Sequence, residues 1–278
     1  VARLICHFND PRGGIAVTAQ LLIYLTAGAG AGTAAGLLGI GGGVIVVPLL
    51  LVLFGLEGIE ASVAMHLAVG TSLGTIVFTT LGSALSHYRL GAVELPAFRR
   101  LGLGLVAGAA AGAALAGLLP AEALKRLFGA FLLLGVPLML LKPVPERHGA
   151  GRPAGMLAAG GGIGTLSAML GVGGGILAVP YLIRQGLPMH RAVATSAACM
   201  VPLATCGALG FIAAGWGDPR LPAGATGFVY WPALLGIAAA SLVASSAAAR
   251  LAHRVPARLL QRLFALLLVV VGLRLLLS

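Results

Sequence analysis

The sequence predicts an all-α polytopic membrane protein made of two inverted-topology repeats, with about ten helical segments. Three observations carry that prediction. First, 59% of the 278 residues are hydrophobic and only 9% charged, against roughly 25% charged in an ordinary soluble domain. Second, the charges are bunched, which leaves charge-free runs at 13–56, 61–88, 101–121, 127–141, 153–183, 192–217, 221–249 and 263–273. A spanning helix needs about 20 mostly apolar residues, so most of these runs suffice and the first has room for two. Third, the chain repeats itself, in the segments set out below.

Composition also excludes classes. Ten segments of ~20 residues leave loops of a few residues each, too short for a soluble domain or an extramembrane active site. A transmembrane barrel would show alternating strands of ~10 residues, whereas the apolar runs here are continuous. The formal net charge of +11 comes from Lys and Arg in short loops between apolar runs, where such residues act as topology signals. Nucleic acid is therefore not an expected partner; the lipid bilayer is. Cys6, Cys199 and Cys206 form no framework, and two of them sit inside apolar runs, so no disulfide is expected.

The repeat is visible at three places. Residues 39–48 read GIGGGVIVVP and residues 171–180 read GVGGGILAVP, with six of ten positions identical. AVGTS at 68–72 matches AVATS at 192–196, and PAEALKRLF at 120–128 matches PARLLQRLF at 256–264. Matches in one order at nearly constant offset mark an internal duplication. Repeat one covers 14–141 and repeat two 153–277, joined by the linker KPVPERHGAGR at 142–152. A basic start followed by an apolar run has the form of a cleaved signal peptide. The run at 14–38, however, has its partner at 153–170 in mid-chain, so a permanent helix is expected there.

Each repeat reads as a Gly- and Ala-rich helix, a GxGGG break, a short apolar segment (44–55 and 176–186), then three further helices. Twelve residues rise only ~18 Å, less than the ~30 Å hydrocarbon core. The short segment is thus an interfacial helix, a re-entrant half-helix, or a span lengthened by residues before the break. If it returns the chain to its starting side, each repeat crosses an odd number of times, and Lys plus Arg divide 12 against 6 between the two sides. If it is interfacial, the division is 10 against 8. The positive-inside rule expects a clear bias, which favours inverted repeats with both termini outside.

The glycine breaks are the leading candidates for chemistry. Each glycine costs a helix about 1 kcal/mol relative to alanine, and the freed backbone groups need partners in lipid. Breaks facing one another across an inverted repeat build midplane sites in many transporters, and helix N-termini beginning near Val44 and Ile176 suit an anion. Close helix packing is the bland alternative for any glycine. The candidate substrate-binding residues are Gly41, Gly42, Gly43, Gly173, Gly174 and Gly175, with the paired hydroxyls Thr71, Ser72, Thr195 and Ser196. Ser72, Thr75, Thr79, Ser83 and Ser86 form one helical face, able to line an aqueous path or bond to neighbouring helices. His66 and His190, equivalent in the two repeats, could carry protons or gate; simple placement near a helix start is the alternative. No Asp or Glu lies inside an expected span, so a carboxylate relay has no candidate in the sequence.

Other motif matches carry nothing. GTSLG at 70–74 fits G-x-S-x-G but lies in an expected helix with no acid partner, and repeat two reads ATSAA. The glycine run lacks the GK[ST] of a phosphate loop. No catalytic residue, metal ligand set or cofactor is expected, and the protein is read as not an enzyme. Gly- and Ala-rich faces at 102–117 and 236–249 could pack against another protomer, so a homo-oligomer is open.

The doubled GxGGGxxxVP, each followed by a short apolar segment and an A-V-x-T-S helix, resembles the TauE/SafE family over nearly the whole chain, 14–277. The resemblance implies a bacterial inner-membrane permease that exports sulfite, sulfoacetate or a related organosulfonate. It places the two glycine triplets and the Thr-Ser pairs near the central pathway. The expectation is a secondary transporter working by alternating access; the alternative is a passive anion channel or a permease for another small solute.

Overall fold

The computed structural model describes residues 14–38, 43–140, 153–252 and 257–277. In chain order the elements are α1 (Gly14–Leu38), α2 (Gly43–Leu56), α3 (Ala61–Arg89), α4 (Leu95–Leu118), α5 (Ala121–Leu140), α6 (Pro153–Leu170), α7 (Gly175–Arg184), α8 (Met189–Ala214), β1 (Ala225–Thr226), β2 (Val229–Tyr230), α9 (Trp231–Ala252) and α10 (Ala257–Leu277). The order long, short, long, long, long occurs twice. Helices α3, α4 and α8 are each long and apolar enough, over the described residues, to cross a bilayer. The fold is all-α and polytopic. The expected linker at 142–152 lies outside the described residues.

Helix boundaries follow local chemistry. α4 opens with Pro96 in its first turn, where a missing N–H costs nothing. The chain leaves α2 and α7 through Gly58 (φ 74°) and Gly186 (φ 87°), backbone that only glycine adopts without penalty. The second short helix starts at the glycine break itself, with Gly174 preceding its first turn, and is not lengthened by residues before it. The 14 residues of α2 and the 10 of α7 rise about 20 Å and 15 Å. The Tyr24 hydroxyl, in mid-α1, reaches Glu57 just beyond the end of α2 at 2.6 Å. α2 therefore doubles back beside α1 instead of lying apart from it.

The centre is α3 against α8, flanked by α4 on α6, α9 on α1, and α5 on α10. α4 and α9 occupy equivalent places in the two halves, as do α1 and α6, so each pairing joins one half to the other. From Val63 to Ile76 every residue of α3 is buried, the polar His66, Thr71, Ser72 and Thr75 among them. Glycines let these helices touch backbone to backbone. A Cβ on Gly104, Gly108 or Gly112 would collide with the carbonyls of Leu157, Gly161 and Thr165 on α6. On the other side, a Cβ on Gly28 or Gly32 would meet Cα of Ile237 at 2.7 Å or of Ser241 at 2.6 Å. Within the faces that the sequence offers to another protomer, Gly104, Gly108 and Gly112 of α4 pack on α6, and Gly236 of α9 packs on Tyr24 of α1. Outward, Leu103 on α4, Leu134 on α5 and Val243 on α9 are exposed. Such a spread of exposed apolar side chains is what a bilayer covers.

One element departs from expectation. The apolar run at 221–249 is not helical from its start, because residues 225–230 form an antiparallel hairpin with Ala225 opposite Tyr230 and Thr226 opposite Val229. Phe228, Val229 and Tyr230 are buried. The hairpin lies against α3 and α8: a Cβ on Gly70 would collide with the Phe228 carbonyl, and one on Gly227 with the Ile212 carbonyl. The Phe228 N–H donates to the Phe211 carbonyl at 3.1 Å.

Candidate functional site

The break in the second half can be followed residue by residue. α6 closes with the Val172 N–H donating to the Ser167 carbonyl at 3.0 Å. Gly171 then takes φ 65° with Val69 of α3 so near that a Cβ would stand 2.9 Å from its Cα. Only glycine meets both the backbone angle and the clearance. α7 starts after Gly174, which has helical φ and no side chain to cap the first turn. The opening N–H groups of a helix have no intrahelical acceptor, so α7 presents donors and the positive end of its dipole at the break.

A hydroxyl faces those donors. Ser196 of α8 is 2% exposed, and its Oγ has no hydrogen-bond partner. It lies so near Gly175 that a Cβ there would be 3.8 Å from it. A buried hydroxyl left unbonded costs about 1–3 kcal/mol. Ser167 of α6, also buried, has its Oγ 2.9 Å from where a Cβ on Gly174 would stand, with Ile163 and Met200 beside it. The sequence reading missed Ser167, because its only signal is a position four residues before the break and its counterpart, Ala35, carries no hydroxyl.

The two breaks meet. A Cβ on Gly43 would stand 2.6 Å from the Gly171 carbonyl and 3.0 Å from Cα of Val172. The Ser72 hydroxyl donates to the same Gly171 carbonyl at 2.8 Å. Gly43, Ser72, Gly173, Gly174, Gly175 and Ser196 are thereby brought to one region between α3 and α8. Gly41 and Gly42 lie outside the described residues.

The threonines have a different setting. Thr71 accepts the Tyr230 N–H at 2.9 Å, and Thr195 accepts the Glu94 N–H at 2.9 Å. Each therefore holds the residue that precedes a helix of the opposite half, α9 in one case and α4 in the other. Both are fully buried. On the hydroxyl face of α3, Ser72 reaches the other half, whereas Thr75 bonds the Thr71 carbonyl, Thr79 that of Thr75 and Ser86 that of Gly82 on the same helix. Replacing Thr71 by valine leaves the buried Tyr230 N–H without this acceptor. The variant is expected to lose about 1–3 kcal/mol of stability, read as a lower thermal midpoint in detergent.

The two histidines differ. His66 is buried and its Nε2 donates to the carbonyls of Ala116 at 3.0 Å and Leu119 at 3.1 Å, closing the end of α4. Its ring lies 5.0 Å from that of Phe228, and Nδ1 has no partner. His190 is exposed at the start of α8. Among the described residues no group of three or more His, Cys, Asp or Glu could hold a metal ion, and Cys199 and Cys206 are free thiols.

Known proteins bear on this arrangement. The family model for sulfite exporter TauE/SafE matches residues 24–275. A probable membrane transporter protein of Haemophilus influenzae is 34% identical over 260 residues, which cover 93% of this chain and 98% of the relative. A probable membrane transporter protein of Bacillus subtilis is 29% identical over 199 residues, 66% of this chain and 75% of the relative. No solved structure matches the chain at a significant level. The paired glycine breaks and the helical fold carry the same signal as the family match, and the chain belongs to the sulfite exporter TauE/SafE family of membrane proteins.

Proposed function

We propose that the protein is a secondary transporter that exports a small sulfur-containing anion, such as sulfite, sulfoacetate or a related organosulfonate, across a bacterial inner membrane by alternating access. The observation that carries this reading is the unspent donor set at the second break. The uncapped N-terminus of α7 and the unbonded Ser196 hydroxyl face one another across a few ångströms. Amide donors at a helix N-terminus favour negative charge by dipole and by hydrogen bond together. The donors belong to α7 of one half while the neighbouring Gly171 carbonyl is held by Ser72 of the other, so a shift between the halves reshapes the site. Gly43 packed on Gly171 supports a carrier that opens by such a shift over a permanently open anion channel. The exchanged pairings α1 on α9 and α4 on α6 support two equivalent repeats, and the 12-to-6 charge division supports their inversion, with both termini outside.

Export of an anion runs with an inside-negative potential, worth ~2.3 kcal/mol per charge per 100 mV. The test is flux from liposomes holding the purified protein, with sulfite, sulfoacetate, thiosulfate and chloride compared at zero and imposed potential. Saturable sulfur-anion flux that follows the potential is expected. Chloride moving equally fast without saturation would establish a channel, and movement of none of the four would remove the anion assignment.

A further inference from the structure

We propose that Glu57 is a proton-binding site through which the protein couples movement of its anion to a proton gradient. The coupling rests on the transporter reading above; the proton binding does not. Glu57 stands in the turn after α2, outside every apolar run of the sequence, yet the fold draws its carboxylate inward. The Tyr24 hydroxyl donates to Oε1 at 2.6 Å. Beside this bond Gln20 donates through Nε2 to the Tyr230 hydroxyl at 2.8 Å. The Tyr24 and Phe54 rings meet the Tyr230 ring edge-on, at 6.2 Å and 5.9 Å between centroids. Tyr24 is fully buried, Tyr230 nearly so and Glu57 half-buried.

Among the described residues, α1 supplies Tyr24 and the neutral Gln20 to the carboxylate, and β2 supplies Tyr230. Among the described residues no Lys, Arg or His pairs with Glu57: the ion pairs join Glu122 with Lys125 and Arg126, Glu94 with Arg191, and Asp218 with Arg220. Glu60, the nearest acid in sequence, is exposed and bonded to Ser62. A structural carboxylate at such a place is ordinarily paired, because an uncompensated charge among apolar rings is costly. Glu57 has two neutral donors, the Tyr24 phenol and the Gln20 amide, and a proton from water is the remaining means of neutralising it.

Its position connects it to the anion site. The Tyr230 N–H is held by Thr71, and the next residue, Ser72, holds the Gly171 carbonyl at the break. A proton arriving on the carboxylate removes the charge that the Tyr24 hydroxyl bonds, weakens the tie between α1 and the turn after α2, and loosens Tyr230, which packs on Tyr24. The cycle moves one proton on and off an oxygen and breaks no covalent bond.

The experiment uses thiosulfate, which stays ionised and carries no proton itself, with the full chain in liposomes at clamped zero potential. An imposed pH gradient is expected to drive thiosulfate accumulation and a matching change in a lumenal pH dye. Glu57→Gln is expected to lower both at least tenfold while thiosulfate-for-thiosulfate exchange persists. Tyr24→Phe removes the donor to the charged form, so the pH profile of flux should move up by about one unit. Infrared difference spectra between two pH values give a readout without transport: the protonated-carboxyl band of the wild type should be missing in Glu57→Gln. Other titration is separable, since the Arg220 guanidinium beside Asp218 holds that carboxyl down to about 2, so the pair stays charged throughout. Gradient-driven accumulation retained by Glu57→Gln, or an unchanged infrared band, would overturn the proposal. If thiosulfate moves through none of the proteins the anion assignment fails, and the infrared band alone decides the proton site.

Discussion

Replacing Gly174 by valine is expected to reduce sulfur-anion flux by about 10- to 100-fold, the loss that follows from removing hydrogen bonds worth 1.5–3 kcal/mol to a charged ligand. The protein should still insert and fold. Gly174 has φ −60°, so a side chain meets no backbone strain there. The atoms nearest an added Cβ are the Ser167 hydroxyl at 2.9 Å, Ile163 Cγ2 at 3.3 Å and Met200 Cε at 3.4 Å. These are side-chain ends that can move by a few tenths of an ångström. What the valine methyls take up is the space before the first turn of α7, where the amides would meet an anion. Ser196→Ala gives a graded control, since losing one hydroxyl donor should weaken half-saturation about tenfold and leave protein yield unchanged. Normal flux from the Gly174→Val protein in liposomes would place the anion elsewhere.

The largest structural effect is expected from Gly70→Val. Here an added Cβ meets backbone, the Phe228 carbonyl, and stands 3.0 Å from Cβ of Phe211 on α8. Neither can swing aside, so the hairpin must leave its seat. With it would go the Tyr230 N–H bond to Thr71 and the Gln20 bond to the Tyr230 hydroxyl. Overpacking of a core costs about 1–3 kcal/mol, and the lost hydrogen bonds add about 1 kcal/mol each. A fall of several degrees in the thermal midpoint in detergent, with faster proteolysis between residues 215 and 230, is the expected reading. A midpoint equal to that of the wild type would mean that the hairpin does not rest on α3.

Much of this architecture could be read in the amino-acid order. The short segments were expected at 44–55 and 176–186 and stand at Gly43–Leu56 and Gly175–Arg184. The signals for them are local: three glycines end a helix, and the next left-handed glycine ends the following one. The run at 221–249 was harder to read, because its apolar residues suit a buried hairpin as well as a helix. Periodicity does not separate the two over so short a stretch. Only the contacts of Gly227, Phe228 and Tyr230 with α3 and α8 reveal that the chain turns in before α9 begins.

The candidate site divides in the same way. Repetition picked out Thr71 and Thr195 together with Ser72 and Ser196, since all four are kept in both halves. It could not tell that the threonines hold Tyr230 and Glu94, residues 159 and 101 positions distant in the chain. Ser167 escaped because its position in the other half is alanine. Glu57 escaped because it stands outside every apolar run, and only the doubling back of α2 brings it to Tyr24, 33 positions earlier.

By itself the sequence determined the membrane class, the duplication, the glycine breaks and the family, because composition, period and helix-breaking residues act within a turn or two of the chain. The tertiary structure decided which donors stay unspent at Gly175 and Ser196, which hydroxyls serve as ties between the halves, and which carboxylate is drawn among the aromatic rings. Those outcomes depend on partners supplied by distant helices, and no spacing along the chain encodes which partner arrives.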